Sequence, residues 1–343
     1  MKEAIVSVGP VVKIVDSPIP EPGPTQLVIK VVVSGSNPKD WKVPMWLNET
    51  ANTGDDIAGV VHAVGSQVWE FKPGDRVASF HEMRTKGGSF AEYALGEQHT
   101  TFKIPEGTGF EDAAAIPLAA MTAAIGLHLR LGLPEPWAPR PENEAPTPLV
   151  VYGGASAVGA YAIKLAARAN IHPIIAVAGR GQPYVETLLD RSKGDAVVDY
   201  RDGDEKAVQG IRDALQGKKL WHALDAVSDH GSWTNIGEVL EKAGGKITLV
   251  LPGKEYHGLA DGVKQSTTTV GSSHSDAKDF AYVWFRYMAR GLAEGWFKAH
   301  PVEVVAGGLG GVQKALEKLR DGEASAVKYV FRIEETEGVG SRL

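Results

Sequence analysis

Residues 148–169 read PLVVYGGASAVGAYAIKLAARA, and this stretch constrains the fold more than any other. An apolar run, Leu149-Val150-Val151-Tyr152, enters a glycine-rich turn, Gly153 to Gly159, and continues into small and apolar residues at helical spacing. Strand, turn and helix in that order gather backbone N–H groups and the positive end of a helix dipole at one point, which suits a pyrophosphate. The run Gly154-Ala155-Ser156-Ala157-Val158-Gly159 departs from G-x-G-x-x-G at Ser156, where the middle glycine would stand. Taken alone, the turn leaves two other readings open: a strand-to-helix turn that binds nothing, and a nucleophile elbow G-x-S-x-G with Ser156 as nucleophile. The elbow requires a small residue at its fifth position, and Val158 occupies it.

The chain downstream of the turn strengthens the dinucleotide reading. Strands are expected at 173–177, 196–199, 220–227, 246–251 and, as a polar strand, 266–270; helices alternate with them at 183–189, 206–215 and 233–240. Six strands counting the first, mostly continuous apolar runs, predict a doubly wound parallel sheet covered on both faces: an α/β Rossmann fold. An NAD enzyme places Asp or Glu at the end of the second strand to hold the ribose 2′-hydroxyl. Here the chain reads Ala178-Gly179-Arg180-Gly181-Gln182, with no acid. Arg180 is suited to a 2′-phosphate, so NADP is favoured over NAD; the alternative is that Arg180 points into solvent. The missing acid also counts against a methyltransferase.

The first 124 residues read as short strands separated by Gly and Pro, including Val28–Val33 and Ala58–Gly65. Their chemically densest piece is Ser36-Asn37-Pro38-Lys39-Asp40-Trp41-Lys42, directly after a buried strand. It is either a site or a polar turn with Lys39 and Lys42 solvated and Trp41 as a packing anchor. From Glu111 to Leu131 an alanine-rich helix pair is expected, interrupted at Pro117, with Thr122 the one hydroxyl on its apolar face. Those small residues serve either a plain core helix or close packing beside a flat ligand. The proline-rich stretch 133–148 reads as an extended surface excursion. After it and the Rossmann segment come an aromatic helix, Phe280–Met288, expected to lie wedged between domains, and a second helix, Gly311–Arg320. A strand at 327–333 is assigned to the first domain, because joining the parallel sheet would require another crossover. The expected organisation is a mostly β domain of residues 1–124 completed by 276–343, and a Rossmann domain of 125–275. The last ten residues are expected to fray.

A formal charge of −6 argues against nucleic-acid binding. The chain holds no run of about 18 uncharged apolar residues, so no membrane partner is expected, and residues 1–9 lack the apolar core of a signal peptide, so a cytoplasmic location is expected. Cysteine is absent from all 343 residues, which removes thiolate nucleophiles and cysteine-held zinc. The ten histidines show no ligand spacing, and no metal site is expected; His62 and His128 read as ordinary residues, and His81 is a weak exception.

Six segments in order resemble the medium-chain dehydrogenase/reductase superfamily: Asn37 to Lys42, Gly54-Asp55-Asp56-Ile57-Ala58-Gly59-Val60-Val61, Lys72-Pro73-Gly74-Asp75-Arg76-Val77, Gly88-Ser89-Phe90-Ala91-Glu92-Tyr93, Gly153 to Gly159, and Lys193-Gly194-Asp195-Ala196-Val197-Val198-Asp199-Tyr200. Within it, the chain resembles the zinc-free quinone oxidoreductase branch and, through the proline-rich excursion, the fungal toxin-cluster type and trans-acting enoyl reductases of polyketide synthesis. The resemblance implies a GroES-like domain made from both ends of the chain, an inserted Rossmann domain, and an active site in the cleft between them. It implies Lys42 and Thr122 beside the nicotinamide as catalytic candidates. It also implies Gly154, Ser156, Ala157, Val158 and Gly159 at the pyrophosphate, Gly179, Arg180 and Tyr200 around the 2′-phosphate, and Leu251, Pro252 and Lys328 on the nicotinamide side. The chain departs from the family in two respects: the zinc-binding cysteines are missing, and Trp41 and Trp46 stand where many quinone oxidoreductases carry a tyrosine.

Without a metal, the accessible hydride acceptor is a carbon made electrophilic by conjugation, and the protein must position it and stabilise charge on its carbonyl oxygen. The leading expectation is an NADPH-dependent, zinc-independent reductase of conjugated carbonyls or quinones. Two alternatives are an enoyl reductase that receives its substrate on an acyl carrier protein, and a non-catalytic NADPH-binding protein.

Overall fold

In the computed structural model, which describes residues 1–339, the chain forms two compact units. One comprises Met1–Met121 and Gly271–Leu343, the other Thr122–Val270. The first unit opens with a hairpin, β1 (Lys2–Ser7) and β2 (Val11–Asp16). Next come β3 (Gln26–Gly35), helix α1 (Lys39–Leu47), β4 (Asp56–Val64), β5 (Arg76–Phe80), β6 (Tyr93–Glu97) and β7 (Thr101–Lys103). Antiparallel pairing runs β3-β4-β5-β7, with β6 also on β3, as alternating short strands joined by Gly and Pro turns require.

Helix α1 departs from the local pattern. Residues 36–42 read as a turn, yet a helix starts at Lys39 and runs through Pro44. Proline has no N–H to give the carbonyl four residues back. That carbonyl, Asp40 O, instead accepts from the Thr53 hydroxyl at 3.0 Å, which removes the usual cost. A partner 13 residues away cannot be read from local pattern.

After α2 (Phe110–Ala114), α3 (Pro117–Ala124) begins at Pro117, so the proline that ends one helix opens the next. A π-helical turn, Ile125–Arg130, continues it. The excursion 133–148 forms no regular element but is pinned: Arg140 N donates to Ala169 O at 3.1 Å and Thr147 N to His172 O at 2.9 Å.

The second unit is a six-stranded, wholly parallel sheet of β8 (Leu149–Tyr152), β9 (Ile174–Ala178), β10 (Ala196–Asp199), β11 (His222–Asp225), β12 (Lys246–Leu249) and β13 (Lys264–Thr267). Its spatial order, β10-β9-β8-β11-β12-β13, is the doubly wound dinucleotide order. Helices α4 (Ala157–Arg168), α5 (Gln182–Glu186), α6 (Asp204–Leu215) and α7 (Ser232–Gly237) connect the strands. Strand β13 lies two residues upstream of the expected 266–270. Its register sets Thr248 opposite Ser266, and the hydroxyls of Thr248 and Thr268 meet at 2.6 Å. In a polar edge strand no apolar alternation marks the register, so the pairing decides it.

The remaining chain returns to the first unit. Helix α8 (Lys278–Glu294) carries the aromatic run; Phe285 stacks on Phe102 at 6.1 Å, and Arg286 is ion-paired with Glu70. Strand β14 (Val302–Val304), α9 (Val312–Arg320) and β15 (Lys328–Arg332) complete it, and β15 pairs antiparallel with β3. The 327–333 strand thus joins the first unit's sheet. Of the last ten residues, 334–339 are tied down: Leu309 N donates to Thr336 Oγ1 at 2.9 Å and Gly307 N to Glu335 Oε2 at 3.3 Å. The final four lie outside the described residues. Among the described residues no helix is long and apolar enough to cross a membrane.

Phe331, fully buried in the core of the first unit and edge-on to Phe90 at 5.6 Å, ties the C-terminal strand to the N-terminal ones. Phe331→Ala is expected to lower unfolding stability by about 3–5 kcal/mol, read by chemical denaturation. A loss below about 1 kcal/mol would show that β15 is not integral to that core.

Candidate active site

The glycine turn is built as its sequence demands. Gly153 leaves β8 at φ +79°, a left-handed conformation that favours glycine, and the amides of Gly153 and Gly154 both donate to Val177 O at 2.9 Å. At Gly159 a Cβ would fall 2.2 Å from Gly153 O, so only glycine lets α4 approach the turn this closely. Ser156 is the N-cap of α4: its Oγ accepts from Gly159 N at 3.0 Å while its backbone is extended (φ −72°, ψ 158°). A serine in ordinary capping geometry is not the strained apex of a nucleophile elbow, and that reading falls. The acceptor side of the hydroxyl is used and its proton remains for a ligand. The amides of Ala157 and Val158 lie in the first turn, where no intrahelical acceptor exists. One hydroxyl and a helix N-terminus without Cβ bulk at 154 and 159 fit a pyrophosphate.

Gly179 and Arg180 come directly after β9, and Tyr200 directly after β10, its neighbour in the sheet. Tyr200 lies against Gly179, where a Cβ would be 2.9 Å from its hydroxyl. Its ring centre is 6.5 Å from that of Tyr152. The structure therefore brings these three residues together at the carboxyl ends of adjacent strands, the side on which open α/β sheets bind ligands.

Leu251 and Pro252 come after β12 at the same end of the sheet. Their approach is set by the buried carboxylate of Asp225 at the tip of β11. It accepts from Val227 N at 3.0 Å, Ser228 N at 2.8 Å and Ser232 Oγ at 2.5 Å, and burial pushes its pKa up. Ser228 Oγ then accepts from Val250 N at 2.8 Å, and the Tyr256 hydroxyl donates to Leu251 O at 2.7 Å. Thr122 is buried on α3, one turn before Gly126, whose lack of a side chain lets the helix lie against Leu224 of β11.

The other candidates lie in the first unit. Lys42 projects from α1, its ammonium 5.6 Å and 5.9 Å from the ring centres of Trp41 and Trp46. Lys328 opens β15 and is buried; its ammonium donates to Asn37 Oδ1 at 2.8 Å and Asp56 Oδ2 at 2.6 Å. Its charge is engaged inside the unit, and its bond to Asn37 ties β15 to the turn that precedes α1.

The buried charge around that turn is denser than the sequence pattern suggests. Asp56 also accepts from Asn37 Nδ2 at 2.7 Å and Leu118 N at 2.7 Å. Beside it, Lys39 is not solvated: its ammonium sits 2.9 Å from Asp40 Oδ1 and is paired with Asp55, and Asp55 is bonded to His81 Nδ1 at 2.9 Å. Burial pushes Asp40 up to about 7, helped by Asp55 and opposed by Lys39. Burial also raises Asp55, but Lys39 and His81 outweigh it and leave that carboxylate below its ordinary range. A usable signal was present: two adjacent acids open an apolar strand, and acids inside a sheet require partners. Among the described residues no three His, Asp or Glu side chains are placed to hold a metal ion.

Comparison with known proteins agrees with this geometry. Residues 23–106 match the alcohol dehydrogenase GroES-like domain family. The chain is 51% identical over 309 residues to the trans-enoyl reductase fsr4 of Gibberella fujikuroi, covering 90% of this chain and 91% of that protein. The chain is a member of the trans-enoyl reductase family, within the medium-chain dehydrogenases/reductases. It is an oxidoreductase. Two solved structures show the same fold. The quinone oxidoreductase of Coxiella burnetii has a TM-score of 0.72 at 21% identity, covering 97% of this chain and 99% of its own. The CurK enoyl reductase has a TM-score of 0.74 at 16% identity, covering 96% and 98%. For this reductase the fold is therefore a Rossmann doubly wound sheet plus a GroES-like, mostly β unit.

Two outcomes test the buried charge cluster. Lys39→Met leaves two carboxylates buried without their cation and is expected to cost about 3–5 kcal/mol of stability in denaturant. Asp40 has a folded pKa above its unfolded value, so its own contribution to stability falls as pH rises from about 4 through about 7. Asp40→Asn, which cannot ionise, should therefore compare more favourably with the natural protein at pH 8 than at pH 5; the opposite order would show that Asp40 is charged throughout.

Proposed function

We propose that this reductase is an NADPH-dependent, zinc-independent enoyl reductase that takes a conjugated acyl thioester presented by an acyl carrier protein. The observation that carries the reading is the 51% identity with a protein named a trans-enoyl reductase, over nine-tenths of the chain. It is supported by a pyrophosphate turn whose glycines and serine cap are all in working geometry, and by an arginine in place of the ribose-binding acid. Zinc independence is supported by the absence of cysteine.

When bound, the dihydronicotinamide supplies hydride to the β-carbon of the conjugated system. The chain's own residues do the rest. Ser156 Oγ–H and the amides of Ala157 and Val158 hold the pyrophosphate, with Gly154 and Gly159 allowing its approach. Gly179, Arg180 and Tyr200 receive the adenosine 2′-phosphate. Leu251 and Pro252 flank the nicotinamide side. The Lys42 ammonium and the Thr122 hydroxyl orient the nicotinamide and donate to the thioester oxygen, where negative charge collects. Proton delivery to the α-carbon falls to solvent. A thioester is less electrophilic than a quinone, so oxygen stabilisation matters more for it. Reduction of free quinones is the second reading, favoured by the quinone oxidoreductase fold.

NADPH consumption followed by absorbance separates the two. With a panel of enoyl thioesters on coenzyme A and on a carrier protein, and with quinones and enals, carrier-linked thioesters should give the highest kcat/KM. Lys42→Ala should lower that value by about 10- to 100-fold while NADPH still binds, in line with the loss of one charge-assisted donor. Turnover of quinones with no thioester reduced would replace the proposal by the second reading.

A further inference from the structure

The tip of β10 carries a charged pair beside the adenosine candidates. Asp199, the last residue of the strand, directly precedes Tyr200, and a bare carboxylate there would repel a 2′-phosphate held by Tyr200 and Arg180. It is not bare. Arg201 N donates to Asp199 Oδ1 at 2.9 Å, Arg201 Nε reaches Oδ1 and Oδ2 at 3.0 Å and 3.2 Å, and Nη2 donates to Oδ2 at 2.6 Å. The hydrogen bonds from Arg201 hold the Asp199 carboxyl down to about 2, so it stays ionised and keeps its grip on the guanidinium. The fork uses Nε and Nη2 on Asp199; among the described residues Nη1 has no hydrogen-bond acceptor. The Arg201 side chain remains half exposed. The pairing of Asp199 with Ala178 and the contact of Tyr200 with Gly179 keep the tips of β9 and β10 together, so Arg201 sits one residue from the Tyr200–Gly179 contact.

We propose that Asp199 and Arg201 form a preset clamp in which Asp199 holds the guanidinium beside Tyr200 and Arg201 Nη1 receives the 2′-phosphate, making Arg201 a specificity-determining residue for NADPH over NADH. This rests on the NADPH reading above and deepens it. A phosphate monoester carries close to two negative charges near neutral pH, and Arg180 supplies one positive charge. Arg201 supplies a second guanidinium donor and offsets the Asp199 carboxylate. Because the guanidinium is already oriented by a carboxylate, little side-chain freedom is lost when the ligand arrives.

The test measures dissociation constants of NADPH and NADH by nicotinamide fluorescence on the full chain, without turnover, for the natural protein, Arg201→Ala, Arg201→Lys and Arg201→Ala/Asp199→Asn. Arg201→Ala should weaken NADPH about tenfold or more and leave NADH within about twofold. Arg201→Lys, with charge but no fork, should fall between. Adding Asp199→Asn to Arg201→Ala should recover about threefold for NADPH alone, because the uncovered carboxylate is then gone. Equal weakening of both cofactors, or no change for NADPH in a variant that keeps its melting temperature, overturns the clamp. If the natural protein binds NADH as tightly as NADPH, the NADPH reading itself fails; if it discriminates and Arg201→Ala still discriminates equally, only the clamp fails.

Discussion

Two adjacent acids that enter a buried strand organise the first unit. Asp55 and Asp56 stand at the start of β4 with almost no exposure, and each is neutralised by a lysine from a different part of the chain. Asp56 gathers Asn37 from the turn after β3, the amide of Leu118 at the head of α3, and Lys328 from the C-terminal strand. Asp55 gathers Lys39 from α1 and His81 from the loop after β5. Removing either cation leaves a carboxylate in a medium that cannot solvate it, so these contacts are mutually obligatory. The consequence is positional: α1, which carries Lys42, is fixed at its first turn by ion pairs, and no local propensity could fix it there.

The second unit solves its positioning problem with backbone. Glycines at 153, 154 and 159 bring a helix N-terminus against a strand end, and Ser156 caps it without consuming the hydroxyl proton. The neighbouring strand tips are then tuned by side chains that bond one another. Tyr200 rests on Gly179, Asp199 holds Arg201, and Asp225 shapes the turn that leads, through Ser228, to Leu251. Apart from Thr122 on α3, the residues proposed for the cofactor in this unit lie at a strand end, the turn or α4's first turn, as a parallel sheet with right-handed crossovers dictates. Chemistry is concentrated there because backbone groups at strand ends and helix starts are unpaired by construction.

Legibility depended on the range of the determining interaction. The glycine turn, the alternation of six strands and helices and the return of 327–333 to the first unit could be read because periodicity and turn chemistry are local. Helix α1 could not, because Pro44 is tolerated through the Thr53 hydroxyl, and the sequence left open whether Lys39 is solvated because one of its two acids lies 16 residues away. Strand β13 was displaced by two residues because a polar edge strand carries no burial pattern to set its register. The engagement of Lys328 by Asp56 and Asn37 could not be read either, because those partners lie 272 and 291 residues away.

By itself the sequence determined the fold class, the place of the dinucleotide turn, the absence of any cysteine-held metal and the type of chemistry that remains open to such a chain. These rest on residue type and spacing, which act over a few residues. Tertiary structure alone decided which lysines are buried and which carboxylates they neutralise. Those outcomes depend on desolvation, and whether a charge loses its water is a property of what the distant chain packs over it.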